Sequence, residues 1–573
     1  MKTPFAAFRL RIAFIFLAVA AFVLGYVGMR TYLVSRPEFA RSPLDIVYYD
    51  LQLFVLDPTP FDGMTPLPWT LELARFIAPA VTIYALIEAA RLMLTAEIRR
   101  IRAREARRHA VICGEGPMAR GLVEKLRAAG RDVVVVTSTP VTVLDDPRVL
   151  QVVGDARTPA VLKAAGVGRA EVLYACEQDS STNTGIALAA HRVRRSAAGP
   201  LAAYVLISDP DLCAALRARR LGVVDPPGLR LDFFNLDELA ARVLLDRDPI
   251  DECLPVTLVG LDGFGSALLV GLARRWRLRS PQSQPRLPVT VIDADADAAL
   301  SVIRRRCEFI DSVLDLTTVH PRLLDSGEHT PADVPQRVYV CYRDEDLALK
   351  TALTTLRLWT RSPRSLVIRV ERQGMFDQAF QGVSLLEDLA GLLRVFAVTE
   401  EAGDPRLIAE DLIEQLARTI HENYVYDCLT SGESPETNDS LVAWPKLPEG
   451  LKRANRGQAQ DIGRKLKAVG AVLASRVDPG LGFAFTEAEI ERLAAMEHRR
   501  WMDERAAEGW AHGPSRDTVR KLHPDMEDWA RLHESAKEKD RNVIRHLPAV
   551  LAMAGFQIVR LEGAAPEVPR SPL

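Results

Sequence analysis

The sequence predicts a membrane helical hairpin followed by α/β architecture: two doubly wound parallel-sheet domains and a small, mainly helical C-terminal module. Three observations predict it. Ile12 to Met29 carries no charge, and a second apolar stretch follows at about Trp69 to Leu94. A glycine-rich turn of the dinucleotide-binding type occurs twice, at Gly114–Ala119 and at Gly260–Gly265. Tryptophans, histidines and charges then concentrate beyond Leu481. A chain of 573 residues can hold several separate cores. The boundaries read as 1–108 for the hairpin, an outer amphipathic helix and a basic stalk, 109–250 and 251–425 for the sheet domains, 426–480 for a linker and helix, and 481–573 for the C-terminal module. A net charge of −2, from 73 basic and 75 acidic residues, argues against coating nucleic acid by bulk electrostatics. Seven cysteines without a CxxC pair suit free thiols in a reducing compartment, and no metal site is expected.

The first apolar run is long enough to span a bilayer as a helix, and its length together with the second apolar segment favours a retained span over a cleaved signal peptide. The second segment has only twelve consecutive uncharged residues, Phe76 to Ile87. As helix these cover roughly 18 Å of a roughly 30 Å hydrocarbon core, so charges must come close to the membrane. Glu72 with Arg75, and Glu88 with Arg91, are spaced i,i+3 and can neutralise each other on one face. They are either members of a polar pathway or end charges that snorkel to the interface. Pro79 removes one backbone hydrogen bond and predicts a kink. Between Glu97 and Arg108 six arginines face two glutamates, which places this stalk and both termini on the cytoplasmic side of an inner, multi-pass membrane protein. In the outer loop, Ser42 as N-cap, Pro43 at the first position and Asp45 in the first turn start a helix, with Leu44, Val47, Tyr48, Leu51, Phe54 and Val55 on its apolar face. Such a helix is a pore helix or an interfacial, oligomer-packing one. The carbonyl-lined Thr-Val-Gly-Tyr-Gly filter is absent.

Each glycine turn follows an apolar strand and opens a helix, which is the context the motif needs. In the first copy Gly114, Glu115, Gly116, Met118 and Ala119 form the turn, the second strand ends at Thr137, and Asp155-Ala156 follows the next. In the second copy Gly260, Gly263 and Gly265 form the turn and Asp293 ends the second strand. Glycine lets the backbone approach a pyrophosphate, and the helix N-terminus favours its charge. From His109 to His421 the chain resembles the paired TrkA-N, or RCK, regulatory domains of potassium transport systems, on the two turns, the Gly154-Asp155-Ala156 segment, Asp293 and the polar stretches after Ala175 and Cys341. The resemblance implies a Rossmann-like fold, a nucleotide such as NAD(H) or an ATP-like ligand, and an ion-conducting partner or attached pore. The copies depart from the pattern in opposite ways. The first lacks an acid at the end of its second strand, and the second carries Asp262 in place of the middle glycine. The first is therefore expected to hold the ligand and the second to be weakened or structural.

In the C-terminal region Thr486 and Glu489 make a capping box. Glu497 to Gly555 resembles the RyR domain, the repeat named from ryanodine receptors, with His512 where that family usually has tyrosine. Its ligand candidates are His498, Arg500, Trp501, Trp510, His523 and Asp540, since aromatics beside cations suit a nucleotide-derived signal, while the tryptophans equally serve as anchors of a small core. The sequence thus predicts a non-enzymatic, nucleotide-responsive regulator or subunit of ion transport, assembled as a homo-oligomer, dimer or tetramer. The alternative is a non-conducting membrane-anchored sensor or scaffold.

Overall fold

The computed structural model describes residues 4–34, 36, 38–39, 42–57, 66–140, 148–194, 200–221, 228–250, 252–279, 285–326, 335–354, 365–372, 393–410, 412–436, 438–477 and 482–561. The chain divides into two units, residues 1–102 and 103–573.

In the first unit, helices α1 (Pro4–Leu33), α2 (Pro43–Leu53) and α3 (Trp69–Glu105) follow one another. Ile12–Leu33 and Trp69–Ala90 are each 22 residues long and apolar enough to cross a membrane. α3 runs on through Pro79 without interruption. α3 approaches α1 tightly at Gly28, where a Cβ would lie 2.7 Å from Leu71. α2 starts as its sequence dictates, the Asp45 amide donating to the Ser42 hydroxyl and the Ser42 amide to the Asp45 carboxylate. The face it buries is a different one from the apolar face named above. Ile46, Asp50 and Leu53 turn inward, while Leu44, Tyr48, Leu51 and Val55 are exposed. Amphipathicity points apolar residues inward only when the surroundings are water, and in a membrane unit the sense can reverse.

In the second unit the strands β1 (Ala110–Cys113), β2 (Val133–Thr137), β3 (Val149–Val153), β4 (Val172–Ala175), β5 (Leu201–Leu206) and β6 (Leu229–Phe234) form a parallel sheet in the order β3-β2-β1-β4-β5-β6. A second parallel sheet, from β7 (Val256–Val259), β8 (Leu287–Ile292), β9 (Leu314–Val319), β10 (Arg337–Val340), β11 (Leu366–Val370) and β12 (Leu393–Ala397), has the order β12-β11-β10-β7-β8-β9. The two orders are the same when counted from each first strand, and both are Rossmann-like. Their short strands are buried on both faces, as the Val-rich runs require. The direction of winding reverses beside β1 and beside β7, which sets each glycine turn at the switch point where such sheets bind ligands.

The two sheets are not separate domains on a linker. Leu122, Leu244, Leu269 and Phe396 belong to one continuous apolar core. The last strand of the second sheet leads into Val398–Ala402, which packs on the helix Pro117–Ala128, where a Cβ on Gly121 would lie 3.3 Å from Thr399. The end of the stalk is fixed to the first sheet domain: the Arg108 amide donates to the Arg169 carbonyl at 3.1 Å, and His109 Nε2 lies 3.0 Å from the Ala165 carbonyl.

Helix Leu412–Thr430 crosses the 425/426 boundary and packs on Glu449–Ala468. Strand Ala471–Ser475 pairs antiparallel with Phe556–Arg560 at the far end of the chain. The C-terminal module thus includes residues well upstream of 481, and its core joins Trp444, Leu466, Leu493, Ile544 and Phe556.

Candidate functional site

Gly114 ends β1 at φ +141, and a Cβ there would lie 2.6 Å from the Cys176 carbonyl oxygen, so only glycine fits this approach. Gly116 is the N-cap of the helix Pro117–Ala128 and offers no side chain to it, and a Cβ at Gly116 would meet nothing within 4 Å. Pro117 has no N–H to give, so the amides of Met118 and Ala119 are the donors at this helix end. The side chains of both are buried, which leaves the backbone as their contribution. The turn is an open cradle edged by amides, the form that accepts a phosphate.

The acid that the sequence lacks at the end of β2 arrives from elsewhere. Glu115 accepts hydrogen bonds from the Ser138 hydroxyl and the Thr139 amide, both at 2.8 Å, and these donors hold its carboxyl below the usual range. Thr137 is turned inward, its hydroxyl donating to the Thr139 carbonyl at 2.7 Å and accepting from Gln151 at 2.8 Å. Asp155 binds the Arg157 side chain and amide, and Ala156 is buried. Asn183 braces the neighbouring loop through the Glu177 amide and carbonyl. Burial, with Glu115 and Asp155 nearby, raises Glu177.

Residues 110–224 match the TrkA-N domain family. The second sheet has the same strand order as the first but closes its turn. Gly260, at φ +89, lies against the Tyr342 ring, and Gly265 packs on the Gly260 carbonyl. Asp262 is the N-cap: its carboxylate accepts from the Gly265 amide at 3.4 Å and the Arg343 amide at 2.8 Å. Asp293 accepts from the Leu261 amide at 2.9 Å and the Asp295 amide at 2.8 Å. Beside Gly263, a Cβ would lie 2.7 Å from Asp237 of the first TrkA-N sheet domain, and Arg343 reaches the same carboxylate at 3.4 Å. Asp262 and Asp293 thus both accept from backbone amides at and around this turn.

In the C-terminal module, His498, Trp501, Trp510 and His523 form a chain of ring contacts, with centroids 5.7 Å apart for His498 and Trp501, 5.1 Å for Trp501 and His523, and 6.3 Å for Trp510 and His523. His498 is buried; Nδ1 lies 3.1 Å from the Asp540 carboxylate and Nε2 lies 2.8 Å from the Glu527 carbonyl. Both partners can accept, an arrangement that favours the doubly protonated ring. Burial opposes this charge and also raises Asp540, but the two hydrogen bonds outweigh it and hold His498 above its ordinary range. Arg500 turns away into a buried network with Glu497, at 2.8 Å, and Glu504, at 2.6 Å, which Lys465 joins through Glu497 at 2.5 Å. Trp529, through the Glu491 carboxylate at 3.0 Å, and Trp501 pack as anchors around His498. Residues 485–560 match the RyR domain family.

Among solved structures, GsuK bound to ADP aligns at 18% identity over 75% of this chain and 98% of its own, with a TM-score of 0.34. The GsuK channel bound to NAD aligns at 13% identity over 85% and 90%, also with a TM-score of 0.34. The A chain of dipicolinate synthase from Bacillus subtilis aligns at 11% identity over 56% and 97%, with a TM-score of 0.20. No curated protein matches the chain.

In the hairpin unit Glu72 and Arg75 pair at 3.1 Å and are half-exposed. Glu88 is partly buried, and the side chain of Arg91 lies outside the described residues. The acid that sequence reasoning missed is Asp50. It is fully buried on α2 against Gly25 of α1, both carboxylate oxygens lack a hydrogen-bond donor among the described residues, and burial lifts its pKa to about 7. The signal was available: Asp50 is four residues after Ile46 and three before Leu53, on one helix face.

Proposed function

We propose that the chain is a membrane-anchored, nucleotide-responsive regulator or subunit of ion transport, with potassium the ion, that assembles as a homo-oligomer and reads its ligand at the first glycine turn. The match to the TrkA-N family and the two helices long enough to span a membrane support the class. One observation carries the choice of site: the cradle over Gly116 is open, whereas the equivalent place in the second copy is filled by the Asp262 carboxylate. The ligand class is a nucleotide with phosphates on the Met118 and Ala119 amides and ribose hydroxyls facing Glu115, which fits NAD(H) or an ATP-like molecule. Binding would act by population shift, favouring one arrangement of the assembled domains. The stalk end held by Arg169 and Ala165 is the element through which the first domain would act on the helices before it. The exposed apolar face of α2 suits lipid or neighbouring subunits.

The experiment is a potassium flux assay on the full-length protein in liposomes, with NAD and ATP supplied, alongside Gly116→Asp. An aspartate at Gly116 copies Asp262, so the variant should fold, retain basal flux and lose its response to nucleotide. Absence of flux with every nucleotide refutes conduction. A Gly116→Asp protein that responds like the parent refutes the site.

A further inference from the structure

A cavity of about 290 Å³ lies where the two sheet domains and the C-terminal module meet. Its wall takes Arg217 and Arg242 from the first domain, Arg274, Arg275 and Arg306 from the second, and Arg418 from the helix Leu412–Thr430, while Ala554–Phe556 of the C-terminal module closes one side. Two acids share the wall, Glu238 and Glu422. Other acids stand behind it: Asp246 bonds Arg275 at 2.5 Å, Glu410 lies 2.7 Å from Arg242 and 3.5 Å from Arg418, and Asp211 pairs with Arg306. Six guanidiniums therefore face five carboxylates even when this outer ring is included, and the inner surface is cationic.

The ion pairs do not use up the donors. Arg217 is satisfied by the Phe233 carbonyl and Glu238, and Arg274 gives one bond to the Met553 carbonyl at 2.8 Å. Arg242 Nη2, Arg274 Nε, Arg275 Nη1 and Arg418 Nε are buried without an acceptor among the described residues. A buried donor left unpaired costs about 1–3 kcal/mol, and more when charged. The four arginines that carry these atoms come from three different helices, and all four line the cavity.

We propose that this cavity binds a compact organic phosphate of about mononucleotide size, held by Arg242, Arg274, Arg275 and Arg418. The volume is at the lower end of ligand pockets, about 300 Å³. Leu239, Val270 and Ile303 supply an apolar wall for the rest of the molecule. Guanidiniums recognise phosphate oxygens through paired, charge-assisted bonds. The site shares no residue with the first glycine turn. Because its cations come from both sheet domains and from the helix that leads to the C-terminal module, an occupant ties all three together.

The test is calorimetric titration of the detergent-solubilised full-length protein with pyrophosphate and with AMP at fixed ionic strength, at about pH 8, where a carboxylate is ionised. Both should bind. Arg418→Gln and Arg274→Gln should each weaken binding about tenfold or more. Glu422→Gln removes a negative charge from the wall and should tighten it, a change of opposite sign that loss of folding cannot imitate. Gly116→Asp should leave this binding in place. The proposal is overturned if neither probe binds at millimolar concentration, if the arginine variants bind as the parent does, if Glu422→Gln fails to tighten binding, or if Gly116→Asp abolishes it.

Discussion

Glu115 shows how far a single residue can change the reading of a site. An acid on the strand β2 would have been visible in the sequence, but this one comes from the glycine turn and reaches the end of β2 only once the chain is folded. Glu115→Gln should weaken binding of ADP or NAD by roughly tenfold, since a hydrogen bond to a charged group contributes about 1.5–3 kcal/mol, while leaving the turn's affinity for pyrophosphate unchanged. Paired titrations with the two ligands measure the difference. His498 makes a second prediction at this scale. Its pKa is raised in the folded state, so the stabilisation is complete below about pH 6.5, the unfolded value, and is lost as pH rises through the folded value. Tryptophan-monitored melting of the C-terminal module should therefore show a midpoint that falls on the alkaline side, and His498→Gln should flatten that slope.

At the scale of elements, most of the fold was legible because it rests on local signals. The valine-rich β1 and β2, the Thr486–Glu489 capping box and the Ser42–Asp45 start of α2 were all read correctly from neighbours in sequence. What was not legible depends on surroundings or on distance. The inward face of α2, with Ile46, Asp50 and Leu53, was not legible because periodicity marks an apolar face without saying what covers it. The partnership of Ala471–Ser475 with Phe556–Arg560 spans some eighty residues and leaves no periodic trace in either strand. The packing of α2 on α1 yields its own expectation. At Gly25 a Cβ would stand 1.8 Å from an Asp50 oxygen, so Gly25→Ala must displace α2, and the purified variant should melt earlier than the parent. Asp50→Asn removes a buried acid that has no hydrogen-bond donor among the described residues. With its pKa raised from 3.8 to about 7, the acid makes the folded hairpin progressively less stable as pH rises through that interval, and the asparagine variant should lose this dependence.

For the second unit as a whole, the shared core matters more than the motif count. Leu239 and Leu244, from the end of the first domain, are buried in the same cluster as Phe264 and Phe396 of the second. A fragment of residues 109–250 alone would expose this surface, and size-exclusion chromatography should show it aggregated, whereas 103–561, which keeps the partners of both cores, should be soluble by comparison. Two glycine turns of similar length stand at similar places in the two domains, and only the assembled structure shows that Asp237 of one domain covers the turn of the other.

Asp262 can also be regarded as a tethered occupant. Its carboxylate is covalently attached to the place it fills, so its local concentration far exceeds that of any dissolved competitor, and it cannot diffuse away. On the proposed reading only the first turn of each chain takes a nucleotide, and saturation should stop at one nucleotide per chain there, with cooperativity arising between chains and not within them.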